Sequence, residues 1–162
     1  LRNRIAECLC AHPLLYFDEA TDKMKMLNAN TVTPEDKILV GTVFDGLFQS
    51  LNNRDENGLM NSFSPLIAKF LGKANATRSD VVTFMHKIYK SDVASMNWMS
   101  LEDYAITKKE VGDQQYEYTV VFSGLQKVEH TDNSSSETRF RFNAKVNPDG
   151  RITELNMTKI LE

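Results

Sequence analysis

The side chains of this 162-residue chain best suited to moving protons are Asp45, His86, Glu102, His130 and Asp132. A general base must come within about 2.6–3.2 Å of the proton it takes, so each is judged by where its element points it. Asp45 falls opposite the apolar stripe of a helix and reads as a solvated acid. His86 lies at the margin of another helical face, beside Thr83, Lys87 and Lys90, where contact with solvent is the ordinary outcome. His130 and Asp132 belong to a polar hairpin loop, and Glu102 turns inward only if its strand bends. None of them is assigned a catalytic role.

Tyr116 and Tyr118 can offer a hydroxyl handle, although such residues usually bury the ring and keep the OH near water or a carbonyl. Cys8, Cys10 and His12 form Cys-x-Cys-x-His. One intervening residue is poor geometry for a mutual disulfide. The trio also lacks the second ligand pair that zinc spacing requires, so two free thiols and no metal site are expected. No cofactor is expected either.

The elements that must position these residues are legible in the periodicity. Ile5, Cys8 and Leu9 suit a short helix, and residues 1–33 read as an N-terminal arm or a linker. Thr33-Pro34-Glu35-Asp36 then supplies an N-cap, a first-turn Pro and acids facing the positive end of the helix dipole. At 100° per residue Leu39, Val40, Val43, Phe44, Leu47 and Leu51 share a face. Asn52 to Asp55 ends this helix, and a shorter one is expected over Glu56 to Phe63. Leu66 to Leu71 reads as a short strand ended by Gly72. A third helix, capped by Thr77 or Ser79, presents Val81, Phe84, Met85 and Ile88, with Val82 and Tyr89 extending that face.

From Ala94 the period falls to two. Met96, Trp98 and Ser100 alternate with polar neighbours, and the strand bends near Leu101 to continue through Tyr104 and Ile106. Tyr116, Tyr118, Val120 and Phe122 form the next row, up to Gly124. His130 to Glu137 is read as a loop. Residues 138–146 alternate without error: Phe140, Phe142, Ala144 and Val146 on one side, Arg139, Arg141, Asn143 and Lys145 on the other. Asn147-Pro148-Asp149-Gly150 signals a tight turn before a last strand, 151–161, whose broken alternation predicts a bulge. Three N-terminal helices followed by a strand meander argue an α+β fold, with the helices packed on one side of a strongly curved, mostly antiparallel sheet.

Bulk properties narrow the partners. A net charge of -3 without a basic stripe argues against nucleic acid. No run of 18 apolar residues predicts a membrane span. A chain that begins at Leu1 is expected to be a processed or excised piece, so its compartment stays open.

Two stretches carry a family resemblance. Val43-Phe44-Asp45-Gly46-Leu47-Phe48-Gln49-Ser50-Leu51-Asn52-Asn53-Arg54-Asp55 looks like a first helix ending in an "n-x-r-D" corner, and Ser79 to Tyr89 looks like a third helix of the same pattern. Together with the closing strands, residues 34–162 resemble the nuclear-transport-factor-two-like superfamily, also called the cystatin-like cone. The resemblance implies a cone between helices and sheet. In the family's ketosteroid isomerases inward carboxyl groups and a Tyr do the chemistry there; in its dehydratases, a His with Asp and Tyr.

The inward row here is Met96, Trp98, Tyr116, Tyr118, Phe140, Phe142, Ala144 and Leu155, with no carboxylate or imidazole. A non-catalytic binding or interaction domain is therefore expected, forming a homodimer through its sheet. If the cone is open, its pocket for a small apolar ligand is lined by Trp98, Tyr116, Tyr118, Phe140, Phe142, Met96, Tyr89 and His86. The alternative is an isomerase, dehydratase or polyketide cyclase using Tyr118 with His86 or Glu102.

Overall fold

The computed structural model describes residues 30–161, together with Arg4–Ile5 and Glu7–Cys8. These two dipeptides are extended and pair with each other, where the spacing of Ile5, Cys8 and Leu9 predicts a helical turn. The other expectations for residues 1–29, and the side chains of Cys8, Cys10 and His12, lie outside the described residues. Leu1–Thr31 and Val32–Glu162 are separate compact units.

In the second unit, helix α1 (Pro34–Asn52) starts with a capping box. The Thr33 hydroxyl accepts from the Asp36 N–H, and Asp36 accepts from the Thr33 N–H at 2.8 Å. Its end is a Schellman turn, in which Arg54 N–H donates to Leu51 O and Asp55 N–H to Ser50 O. Arg54 holds the left-handed position, φ +54, that glycine usually takes, and its guanidinium stacks 4.0 Å over the Tyr89 ring. Helix α2 (Glu56–Asn61) is shorter than the periodicity suggests, and helix α3 (Arg78–Ile88) is capped by Thr77 with Asp80.

Seven strands form one sheet: β1 (Leu66–Phe70), β2 (Lys73–Thr77), β3 (Val93–Ser100), β4 (Ala105–Gly112), β5 (Gln115–His130), β6 (Ser135–Val146) and β7 (Ile152–Lys159). The order is β2-β1-β7-β6-β5, with β3 and β4 both on the far side of β5. Every pair is antiparallel except β1 with β7. The α+β reading holds, with the helices packed on a curved, mostly antiparallel sheet as expected and one strand more before the third helix.

Three strand readings are corrected. Residues 73–77, where no strand was expected between Gly72 and the third helix, form β2, because Leu71 (φ +48) and Gly72 (φ +89) close a hairpin with β1. Strand β5 does not stop at Gly124 but runs to His130, and β6 begins at Ser135, so the loop shrinks to four residues, 131–134. The expected bend after Ser100 is a full break, and β4 re-forms on the other half of β5. The bulge expected in the last strand lies at Thr153, between the pairs Val146↔Ile152 and Lys145↔Glu154.

Gly124 sits where β5 changes partner from β4 to β3. A Cβ there would lie 2.6 Å from a Phe142 ring carbon and 3.2 Å from the Met99 carbonyl oxygen. Glycine is needed for this close approach. Gly124→Ala is expected to cost about 1–3 kcal/mol of unfolding free energy by urea titration, the usual penalty of overpacking. An unchanged midpoint would show that the ring has room to move.

The core lies between α1 and the sheet. Val40, Phe44, Leu47, Phe48 and Leu51 of α1 are buried. Leu39, assigned to that face by its period, is 37% exposed, and Phe48 takes the buried position instead. The stripe is thus centred nearer Phe44 and Leu51, and it carries Asp36, four residues before Val40, into the interior.

Candidate functional site

The inward rows converge as a packed aromatic stack. Phe122 lies against Phe44 at 4.9 Å between centroids, Tyr104 at 4.8 Å and Phe142 at 4.8 Å. Trp98 stacks on Phe48 at 6.3 Å and meets Phe140 at 5.6 Å. The Trp98 indole N–H donates to the Met96 sulfur at 3.1 Å, so even this polar atom is satisfied inside. The cavity among Phe48, Phe84, Trp98, Phe142, Leu155 and Met157 is about 20 Å³. That is room for about one water, in an apolar setting that stays dry.

The expected pocket residues fall into three groups. Met96, Trp98, Phe140 and Phe142 meet in this stack. Tyr89 and His86 do not join it. They line a surface cleft of about 240 Å³ with Arg54, Glu56 and Met85. His86 pairs with Glu56 at 3.0 Å, and Tyr89 OH donates to Leu51 O at 2.6 Å. Burial pushes the Tyr89 hydroxyl up against the opposing pull of Arg54. Helix α3 turns its 86 position outward, because Val81 and Met85 take the buried face.

Tyr116 and Tyr118 form the third group, around Asp36, expected only as a first-turn acid of its helix, and Lys108. Asp36 and Lys108 are both buried, at 7% and 8% exposure, so the interior does hold a carboxylate beside the inward row read as having none. Lys108 Nζ donates to Asp36 Oδ2 at 2.8 Å, and Tyr118 OH donates to Asp36 Oδ1 at 2.5 Å. Lys108 also lies 4.1 Å over the Tyr116 ring. Two signals could have found them. Asp36 precedes Val40 and Phe44 by four and eight residues, in phase with the buried stripe. Lys108 pairs directly with inward Tyr118 in the β4–β5 register.

The electrostatics lock this cluster rather than arm it. Burial pushes the Asp36 carboxyl up, but hydrogen bonds from Lys108, Tyr118 and Thr33 outweigh it and hold the carboxyl at about 2. Burial, with the neighbouring Asp36 charge, raises Tyr118 well above the usual phenol range. A carboxylate already holding three donors is a poor base, and a phenol bound to that carboxylate keeps its proton.

The other candidate acids and imidazoles, Asp45, Glu102, His130 and Asp132, sit at the surface. Asp45 and Glu102 are exposed. His130 faces Asp92 at 3.5 Å and Ser136 at 3.3 Å. Asp132 accepts the Ser134 N–H at 2.9 Å within the hairpin turn. Among the described residues no three His, Cys, Asp or Glu side chains gather as a metal would require. No described helix is long and apolar enough to cross a membrane.

On the outer sheet face Lys145 pairs with Glu154 at 3.5 Å. Glu117 lies opposite Lys109 in the β4–β5 register.

An α+β cone of three helices on a seven-stranded curved sheet defines a class, and comparison with solved structures gives it a name: the fold is that of the nuclear transport factor 2-like superfamily. A superfamily protein from Salmonella enterica serovar Typhimurium LT2 superposes with a TM-score of 0.62 at 12% identity, over 78% of this chain and 92% of that one. Hexachlorocyclohexane dehydrochlorinase LinA-type3 from Novosphingobium barchaimii LL02 gives 0.62 at 9% identity, over 78% and 88%. A Xanthomonas campestris protein assigned as a calcium/calmodulin dependent protein kinase II association domain gives 0.59 at 12% identity, over 82% and 95%. No family model and no curated protein matches the sequence. Enzymes and association domains thus share this architecture, and the site must decide between them.

Proposed function

We propose that this chain is a non-catalytic interaction module, a closed nuclear-transport-factor-two-like cone that binds partners through its surface and pairs with a second copy through the sheet. The observation that carries this reading is the filled interior. Where the fold's enzymes would need substrate space, Trp98, Phe122, Phe140 and Phe142 pack against α1 around a cavity of about 20 Å³. Drug-sized ligands occupy about 300–1,000 Å³. An isomerase, dehydratase or cyclase would also need an accessible base. Tyr118 is bound to Asp36, and His86 points to Glu56 outside the cone.

A thermal-shift screen of steroid-sized apolar compounds and small aromatic acids tests this. A ligand at 100 times its Kd would stabilise the fold by about 2.7 kcal/mol, a rise of several degrees in Tm. No compound is expected to raise Tm. A concentration-dependent rise that Phe142→Trp abolishes would overturn the closed-cone reading.

A further inference from the structure

We infer that the cleft between the end of α1 and the last turn of α3 captures the C-terminal carboxylate of a partner polypeptide, held on Arg54. This names a partner chemistry for the interaction-module reading and rests on it. The cleft is about 240 Å³, apart from the aromatic stack, and is lined by Arg54, Glu56, Met85, His86 and Tyr89. Arg54, Glu56 and His86 are exposed, so the cleft is open on that side.

Arg54 is the group that calls for an anion. Its guanidinium lies 4.0 Å over the Tyr89 ring and makes no ion pair among the described residues. Stacking uses the face of a guanidinium and leaves in-plane N–H donors at its rim, the geometry that grips a carboxylate by two parallel bonds. The ring beneath is itself fixed, because Tyr89 OH donates to Leu51 O at 2.6 Å. Glycine would make the turn at φ +54 without strain, so what arginine adds at this corner is the positioned cation.

The rest of the lining selects among acids. His86 Nε2 meets Glu56 Oε2 at 3.0 Å, which occupies one carboxylate oxygen and leaves the other as an acceptor. A simple organic acid would bring a second negative charge beside Glu56 and no donor for it. The last residue of a chain brings a carboxylate for Arg54 and, on the neighbouring Cα, an N–H for Glu56. One residue thus complements both charges of the cleft. Met85 and Tyr89 supply a wall for its side chain. The volume is smaller than the about 300–1,000 Å³ of drug-sized ligands and suits a single terminal residue, with the chain before it leaving through the open side.

The test titrates acetyl-Thr-Ala-Thr-Val, with a free C-terminal carboxylate, into the full nitrogen-15-labelled chain. Saturating shifts are expected at the Arg54 side-chain N–H and at the Glu56, His86 and Tyr89 amides. The same peptide with an amidated C-terminus should bind about tenfold more weakly or worse, because the charged pair is lost. Arg54→Gly suits the left-handed turn, so its spectrum should stay that of the folded chain while affinity falls about tenfold or more. Propionate, which has no N–H, and free valine should each bind more weakly than the peptide. Equal binding of the amidated peptide or by Arg54→Gly, or no shift at these groups at millimolar peptide, overturns the assignment. Tighter binding of propionate or of free valine overturns it in favour of a small free acid. A sheet-mediated dimer still seen by sedimentation would leave the wider interaction-module reading standing.

Discussion

Asp36→Ala is expected to lower the unfolding free energy by about 3–5 kcal/mol, because it leaves the Lys108 ammonium buried without its carboxylate. The loss should exceed that of any exposed ion pair in the molecule, such as Lys127 with Glu137, where about 0–1 kcal/mol is usual. Tyr118→Phe removes one donor from a charged acceptor and should cost about 1.5–3 kcal/mol. Asp36→Leu combined with Lys108→Met should recover much of the single-variant loss, since an apolar pair of similar volume restores packing and strands no charge. Urea titrations of the four variants decide the matter. A loss below about 1 kcal/mol for Asp36→Ala would mean that water reaches the cluster.

The same cluster sets the acid limb of stability. The folded Asp36 carboxyl, held at about 2, binds its proton more weakly than the ordinary carboxyl at 3.8 in the unfolded chain. Its contribution, about 2 kcal/mol, is therefore complete above pH 4 and lost as pH falls through 2. Tyr118 acts in the opposite direction. Its raised value favours the folded state below pH 10, and that help is lost as the solution becomes more alkaline. Asp36→Asn should flatten the acid limb between pH 4 and 2 and leave exposed carboxylates to account for what remains.

Neither Asp36 nor Lys108 declares its buried role in the local sequence. Asp36 has an obvious local role as the third residue of a capping box, and Thr33 does form that box. One explanation hid a second, since the same carboxylate also meets Lys108 and Tyr118 from the sheet. Lys108 sits in Thr-Lys-Lys-Glu, a stretch whose polarity suggests two wet faces. Only the long-range register Lys108↔Tyr118 turns it inward. The alternation at 138–146, in contrast, was decisive because it needs no distant partner to interpret. Pairing order is harder, which is why β2 and the shared use of β5 by β3 and β4 were not foreseen. The left-handed Leu71 that makes the β1–β2 turn is a residue few turn rules would nominate. Whether a cone is open or closed is set by side-chain volumes meeting across elements, and a pattern of apolar positions does not encode that volume balance.

Phe142→Ala tests that volume balance. Phe142 touches Phe48 at 5.6 Å, Phe122 at 4.8 Å and Trp98 at 6.3 Å, and it borders the small interior cavity. Truncation should cost about 3–5 kcal/mol, because the lost transfer energy adds to that of the void left behind. The void would join the existing cavity and should remain dry, since Phe48, Trp98, Leu155 and Met157 line it. Engineered apolar cavities of about 150 Å³ bind benzene, so benzene or indole should raise the Tm of Phe142→Ala and leave the parent chain unmoved. The variant should also relieve the close contact at Gly124, whose missing Cβ would meet the Phe142 ring at 2.6 Å. Gly124→Ala in the Phe142→Ala background should therefore cost less than in the parent, a coupling of about 0.5–3 kcal/mol. If the double variant is additive and no aromatic binds, the sheet has collapsed onto α1. If coupling and binding are both seen, the cone is closed by this ring, and one residue separates a solid core from a ligand pocket.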